Sequence, residues 1–285
     1  MNHPKQWRDT CDPFSIPYNT FQPTKILGYP HAGNDVFHVK GIYDGKEVYA
    51  YIKVARQAGA SIGNEVSILS QCNAPNIPKV IDYGLGDVPF SVTLELPGER
   101  LSTILGDNDN LDSLSYLEEY GAALAMLHQM TIHTGNVTDR RFFHAPSQEL
   151  LERHNLKYLS SFFAKPPTNP VRCFCHGDFH YANVLWREHH ISGILDFELA
   201  GYGNRDFDIA WALFLRPGQK FLKTTLEQQV FLRGYAQHGI YDLKAIRYYM
   251  AQCYVYFLQL CDDQNYSDYI HVWLSQARLI FGRSQ

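Results

Sequence analysis

Cys175-His176-Gly177-Asp178-Phe179-His180-Tyr181-Ala182-Asn183-Val184, followed thirteen residues after Asn183 by Asp196-Phe197-Glu198, is the stretch on which the reading of this chain turns. As a bare turn, His-Gly-Asp carries no message, since Gly and Asp are turn residues. The spacing supplies one. An Asp with an Asn five positions on, then a second Asp after a short hairpin, suits phosphoryl transfer from a magnesium nucleotide. One carboxylate orients the acceptor hydroxyl and takes its proton. An amide carbonyl and a second carboxylate hold Mg²⁺ against the phosphates. Such chemistry is mostly positioning and charge neutralisation, so a few oxygen ligands on a rigid loop and strand suffice.

Working outward, the bulk properties permit this and exclude other classes. The chain has 285 residues, 45% of them hydrophobic, enough for one large domain or two smaller ones. A formal charge of −4 leaves no basic footprint for nucleic acid. No stretch approaches the ~20 apolar residues of a membrane span, and Met1 to Lys5 opens no signal-peptide core. The six cysteines, with no CxxC, read as free thiols of a cytoplasmic protein. Cys173 and Cys175, two apart on a strand, share one face as small hydrophobes would, and no metal or redox role is expected of them. Nothing speaks to oligomeric state.

The first 24 residues, rich in Pro and aromatics, read as an irregular arm. Val36 to Val39 and Val48 to Val54 flank Asp44-Gly45, a hairpin turn. A short helix is expected near Ser61 to Ser70, with Ile62, Val66 and Leu69 on one side. Lys79 to Tyr83 and Phe90 to Leu96 follow as strands. After Pro97-Gly98 the pattern becomes helical. Helices are expected over Tyr116 to Gln129, Gln148 to Phe163, Asp206 to Leu215, Lys220 to Gln237, Leu243 to Leu260 and Tyr266 to Ile280. Between the second and third of these, Cys173 to Asp196 reads as strand, loop and hairpin, turning at Glu188-His189-His190. The reading is therefore α+β: residues 1–97 as a small antiparallel-sheet lobe with its N-terminal arm, and residues 98–285 as a mainly helical catalytic and substrate-binding lobe.

In the strand ending at Val54, alternation puts Val48, Ala50, Ile52 and Val54 on one face and Tyr49, Tyr51 and Lys53 on the other. A lysine inside an apolar strand needs a charged partner or ligand, because an unpaired buried ammonium is costly. Glu65, twelve residues on, is the natural partner. The pair resembles the strand lysine and helix glutamate of kinases, which implies Lys53 as a phosphate ligand held by Glu65. Gly33 and Asn34, in the turn from His31 to Asp35, resemble in position the loop that covers the phosphates in kinases, though with only one Gly. Amides of such a turn could meet phosphate oxygens, and a plain surface turn reads equally well. By analogy with kinases, Thr93 to Leu96 would be the hinge whose main chain meets an adenine edge, a role any residue type could fill.

His176-Gly177-Asp178-Phe179-His180-Tyr181-Ala182-Asn183 and Asp196-Phe197-Glu198 resemble the catalytic and metal motifs of the aminoglycoside phosphotransferase and choline kinase family. Leu124-Ala125-Met126-Leu127-His128 and Asp206-Phe207-Asp208-Ile209-Ala210 resemble its flanking helix segments, so the likeness spans residues about 50 to 210. It implies a two-lobed, protein-kinase-like fold, ATP (or GTP) and Mg²⁺ as cofactors, and a small-molecule hydroxyl as acceptor. Asp178 would be the catalytic base, with Asn183 and Asp196 as metal ligands. Glu198, where protein kinases carry a Gly, is a further candidate metal contact. Asp208 would anchor the catalytic loop. A protein kinase and a nucleotide-binding regulator without turnover are the rival readings. No Ala-Pro-Glu follows Asp196 to support the first, and the intact Asp178, Asn183 and Asp196 oppose the second. An aminoglycoside, amino alcohol, sugar or homoserine would each suit as acceptor. Glu227, Asp262, Asp263 and Asp268 are available to meet a cationic one, and Tyr254, Tyr256, Tyr269 and Trp273 to pack against it.

Overall fold

The computed structural model describes residues 11–30, 33–56, 61–106, 111–260 and 262–281. Residues 1–10, His31, Ala32 and Cys261, on which parts of the sequence reading fall, lie outside the described residues. The chain divides into two compact units, Met1–Gly98 with Ser192–Leu199, and Glu99–Ile191 with Ala200–Gln285.

The first unit is built on a five-stranded antiparallel sheet in the order β1-β2-β3-β5-β4. Its strands are β1 (Phe21–Gly28), β2 (Asp35–Tyr43), β3 (Lys46–Val54), β4 (Val80–Gly84) and β5 (Phe90–Leu94). The β2–β3 turn uses left-handed backbone at both Asp44 and Gly45, the geometry that matches hairpin twist. Period-two alternation buries Ala50, Ile52 and Val54 of β3 completely or nearly so, against Phe37, Val39, Phe90 and Val92. Helix α1 (Ile62–Leu69) buries Ile62, Glu65, Val66 and Leu69, so its apolar side also carries a carboxylate.

The arm expected over the first 24 residues is only partly irregular. Strand β1 begins at Phe21 and lies at the sheet edge, where Pro23 sits beside a register shift. An edge strand tolerates a missing amide donor at such an irregularity, which is why Pro did not prevent pairing. Asp82 fixes this edge. Its Oδ2 accepts the amides of Asn19, Thr20 and Phe21 at 2.8, 2.7 and 2.9 Å. Burial opposes the charge, but these donors outweigh it and hold the carboxyl below its usual range. Asp82→Ala should therefore destabilise the fold by at least about 2 kcal/mol, as three amides lose their acceptor. Because the folded-state pKa is depressed, this contribution is complete above the unfolded value of about 3.9 and is lost as pH falls through the folded one. Urea unfolding of wild type and variant should differ near neutrality and converge below about pH 4.

The second unit begins with β6 (Glu99–Arg100), α2 (Leu101–Leu105) and α3 (Leu114–His128). Helix α3 buries Leu117, Tyr120, Leu124 and Leu127 as the helical spacing requires. The helix expected over Gln148 to Phe163 is instead α4 (Gln148–Arg153), a 3-10 turn, and α5 (Ser160–Phe163). Asn155 adopts left-handed φ between them and ends the first piece, a role Asn fills with little strain. Then come β7 (Arg172–Cys175) and β8 (Val184–Arg187); β9 (His190–Ile194), joined to β8 through Glu188 and His189, both at positive φ, begins in this unit and ends in the first. A short strand the sequence reading did not foresee, β10 (Gly201–Asn204), pairs with β7. Helices α6 (Arg205–Leu213), α7 (Thr225–Tyr235), α8 (Leu243–Phe257) and α9 (Gln264–Phe281) complete the chain. Helices α3 and α7 meet backbone to backbone. A Cβ on Gly121 would lie 1.9 Å from the Phe231 carbonyl oxygen, and one on Gly234 1.8 Å from that of Glu118.

Candidate active site

Six of the residues singled out in the sequence lie in the first unit. Lys53 Nζ is 2.9 Å from Glu65 Oε2, 2.8 Å from Asp196 Oδ1 and 3.1 Å from Glu198 Oε2. Burial works against the ammonium, but the three carboxylates more than offset it and push its pKa well above the ordinary value. Three carboxylates around one ammonium leave a surplus of negative charge, an environment made for a cation. Asp196 has positive φ, and its side chain is 43% exposed, against 7% for Glu65 and 17% for Glu198. It is therefore the carboxylate of the three most open to a ligand. Phe197, wholly buried, donates its amide to Glu65 Oε1 at 3.2 Å, which ties this segment to α1.

Glu198 is already engaged on both oxygens. Its Oε1 accepts the Ser61 amide at 3.0 Å, and its Oε2 accepts Asn34 Nδ2 at 2.7 Å. Asn34 is buried and also takes the Arg56 amide on Oδ1, so its side chain braces the acidic cluster. Gly33 is exposed with φ 100, backbone that only glycine adopts readily. In the hinge segment, the amides of Leu94 and Glu95 are committed to the carbonyls of Lys79 and Tyr49.

Asp178 and Asn183 lie together in the second unit. Strand β7 runs directly into His176, whose amide bonds Asp208 Oδ2 at 2.9 Å, while the Gly177 amide bonds Asp208 Oδ1 at 3.0 Å. Asp208, at the first turn of α6, thus anchors the loop through its backbone. Its Oδ2 also meets His128 Nε2 at 3.1 Å. Fully buried His176 turns Nδ1 to the Asp178 amide at 3.3 Å. Gly177 takes φ 77, allowing the sharp turn before Asp178.

The Asp178 carboxylate is fixed on both oxygens. Trp211 Nε1 donates to Oδ1 at 2.7 Å, and Asn183 Nδ2 approaches Oδ2 at 3.3 Å. His180 Nε2 is 3.6 Å from Oδ2, and Arg140 Nη1 3.9 Å from Oδ1. Burial would raise the carboxyl pKa, but His180 first, then the Arg140 and Arg216 charges, hold it well below the ordinary range. Asn183 Nδ2 also donates to the Asp178 carbonyl at 3.0 Å, which leaves its Oδ1 as the atom for a cation or donor. Trp211 itself lies beneath two guanidiniums, Arg140 at 4.4 Å and Arg216 at 5.1 Å from the ring. Arg216 Nη2 further bonds the Trp211 carbonyl at 2.8 Å.

Trp211, Arg140 and Arg216 did not stand out in the sequence. Trp211 follows Asp208 by three residues on α6, one helical turn, which is the signal that could have flagged it. Arg140 comes from a loop far away in sequence, and Arg216 follows Trp211 by five residues just past α6; neither carries a local signature.

The terminal-helix acids are differently employed than the sequence reading offered. Glu227 is buried in a capping box, accepting the amides of Leu222, Lys223 and Thr224 and the Ser113 hydroxyl. Asp263 accepts the amides of Asn265 and Tyr266 at the start of α9, and Asp268 accepts the Gln264 amide group. Tyr254 is fully buried, accepts the Leu215 amide and packs against Tyr269 and Trp273. That ring is core, as the strong apolar character of α8 dictates.

Comparison with known proteins now places the chain. Its residues 53–241 match the profile of the phosphotransferase enzyme family, and the chain belongs to that family. It is accordingly a phosphotransferase. No curated protein sequence matches it. Among solved structures, a thermostable mutant of aminoglycoside phosphotransferase APH(4)-Ia with AMP-PNP and hygromycin B is 13% identical, over 93% of this chain and 96% of its own, with a TM-score of 0.62. The streptomycin–ATP complex of APH(2")-IIa is 17% identical, over 89% and 91%, with a TM-score of 0.58. Plasmodium vivax ethanolamine kinase is 15% identical, over 93% and 83%, with a TM-score of 0.54. These likenesses establish the α+β kinase-like fold.

Proposed function

We propose that this phosphotransferase moves the γ-phosphate of ATP (or GTP) to a hydroxyl of a small molecule, with Asp178 as the base. The observation that carries the reading is the state of Asp178. Its pKa is depressed, and Trp211 and Asn183 hold both oxygens, so an ionised carboxylate is presented in one orientation. In a loose transition state the base need not fully deprotonate the alcohol; it orients the hydroxyl and accepts the proton late. Lys53, kept charged and placed by Glu65, binds phosphate oxygens. Gly33 and Asn34 contribute backbone amides to the same end.

Asn183, Asp196 and Glu198 fit Mg²⁺: all offer hard oxygen ligands, and the carboxylates around Lys53 carry surplus negative charge. When bound, Mg²⁺ neutralises the phosphate charge that builds up during transfer. Asp196 is the most open of these carboxylates, whereas Glu198 must share oxygens with Ser61, Asn34 and Lys53. The likeness to aminoglycoside phosphotransferases and to an ethanolamine kinase supports an acceptor bearing an alcohol among aminoglycosides, amino alcohols or sugars.

Release of ADP from ATP, or of GDP from GTP, with Mg²⁺, measured across a panel of aminoglycosides, amino alcohols, sugars and homoserine, tests this directly. Acceptor-dependent turnover with a phosphorylated product is expected. Tight nucleotide binding with no turnover on any acceptor, or efficient phosphorylation of a folded protein instead, would sink the proposal.

Trp211→Phe provides a finer test. The variant keeps a ring beside Arg140 and Arg216 but removes the Nε1–H bond to Asp178. A hydrogen bond to a charged group is worth about 1.5–3 kcal/mol, so turnover should fall about 10–100-fold. With one stabilising donor gone, the acid limb of kcat/KM should also move to higher pH. An unchanged pH profile with unchanged turnover would remove Trp211 from the alignment of the base.

A further inference from the structure

The sequence reading treats Cys173 and Cys175 as small hydrophobes on one strand face. The structure adds a third group to them. Cys173 Sγ and Cys175 Sγ lie 3.8 Å apart on β7, and a ring nitrogen of His128, at the end of α3, falls within 4.8 Å of both. Neither thiol is in a disulfide. Among the described residues this is the group of His, Cys, Asp and Glu side chains whose ligand atoms converge closely enough to hold an ion. We propose that Cys173, Cys175 and His128 form a binding site for a thiophilic d¹⁰ metal ion, Zn²⁺ or Cu⁺, on the back of the catalytic loop.

Geometry and ligand type agree. Two thiolates at about 2.3 Å from a tetrahedral metal stand roughly 3.8 Å apart, which is the separation observed here without any ion. Thiolate and imidazole donors select soft or borderline cations and are poor ligands for Mg²⁺. Magnesium required for phosphoryl transfer would therefore not compete for this position. An entry path is present: Cys175, Gly177, Gly203 and Asp208 line a cavity of about 260 Å³ that also reaches Arg172 and Tyr202. Of the three proposed ligands only Cys175 lines that cavity, and a water or another exogenous ligand would enter as the fourth partner from its side. The nearby Asp208 carboxylate contributes favourable charge. Thiolate ligation releases thiol protons, so binding should strengthen as pH rises.

The position has a consequence for the loop. Strand β7, which carries both sulfurs, continues without a break into His176, Gly177 and Asp178. His128 now spends Nδ1 on the Tyr235 hydroxyl at 2.7 Å and Nε2 on Asp208 Oδ2. Whichever nitrogen turns to an ion gives up its present partner. Asp208 is the residue that holds the His176 and Gly177 amides, so metal occupancy bears on the backbone that sets Asp178. Occupancy should therefore slow phosphoryl transfer, an inference that rests on the function proposed above; the metal site itself does not depend on it.

The test uses the full-length, reduced protein. Co²⁺ is titrated as the spectroscopic probe, and Zn²⁺ in competition with a chromophoric chelator. One equivalent should bind, with thiolate-to-cobalt charge-transfer bands and tetrahedral d–d absorption. Cys173→Ser is the first variant, because Cys173 is only half-buried and the change is small; its melting curve checks that it folds. Losing a direct ligand should cost at least the ~10–100-fold in affinity that losing a supporting group costs. Cys175→Ala, melted alongside, should abolish the charge-transfer bands. Absence of those bands in the wild type, or equal affinity in the wild type and Cys173→Ser, overturns the site.

Zn²⁺ loading should also lower ADP release in the wild type while sparing Cys173→Ser. Thiol-dependent binding without that difference would overturn the link to the loop. If no acceptor supports turnover at all, the failure belongs to the proposed function, and the cobalt spectra still decide the metal site.

Discussion

Asp178→Asn is expected to lower turnover about 10²–10⁴-fold, the range typical of losing a general base, while nucleotide affinity stays near wild type. An asparagine can keep the Trp211 bond on its carbonyl oxygen, so the loop geometry is largely retained. What is lost is the negative charge and the ability to accept the acceptor's proton. The residues proposed to bind phosphate lie elsewhere in the chain, around Lys53, and are untouched. Arg140 and buried Arg216 lose a counter-charge, so activity should be compared at a temperature where melting curves show both proteins folded. Calorimetric titration with an ATP analogue and steady-state kinetics with the best acceptor together decide the matter. Near-normal kcat in the variant would disprove the assignment of Asp178 as base. The depressed pKa adds a pH expectation: no loss of activity from this group at or above about pH 4, since it remains ionised there.

Lys53→Ala should be damaging twice over. Its ammonium stands among three carboxylates, of which Glu65 is 5% exposed and cannot fall back on water. Breaking a buried ion pair by removing one partner costs about 3–5 kcal/mol, so the variant should be markedly less stable. The sequence alone would predict an intact fold, because it does not disclose that Glu65 faces inward. Nucleotide affinity should fall about 10–100-fold as well, from the loss of a charge-assisted contact to phosphate. The double variant Lys53→Ala, Glu65→Gln separates the two effects, since it removes the stranded charge. It should regain much of the stability and none of the affinity. Denaturant unfolding that finds Lys53→Ala as stable as wild type, joined to unchanged ATP affinity, would take Lys53 out of both roles.

Much of the architecture was legible because it follows from local rules. The Asp44-Gly45 hairpin was foreseeable, since those residues accept the positive φ that its turn requires. The alternation of β3 by itself separates Lys53 from Val48, Ala50, Ile52 and Val54. The helices were found by their period, with errors at ends and at one break. Gln148 to Phe163 looked continuous because its apolar spacing is helical, and only the left-handed Asn155 divides it. Strands β1 and β10 escaped notice for a different reason. Each is stabilised by a partner from elsewhere in the chain, β2 and β7, and their own sequences carry Pro23 or Gly201 and Gly203.

By itself the sequence determined the kind of chemistry. Asp178, Asn183, Asp196 and Lys53 have side chains whose charge and ligand type are fixed by composition, and whose spacing along the loop, hairpin and strand is fixed by covalent connectivity. Tertiary structure alone decided what surrounds them. Trp211 reaches Asp178 across 33 residues of chain, Asn34 reaches Glu198 across 164, and Glu227 is consumed by a helix cap instead of facing a substrate. The same holds for His128, Cys173 and Cys175. Local pattern specifies backbone conformation because it acts within a few residues, whereas burial, charge pairing and ligand convergence depend on which distant segments the packed core brings together.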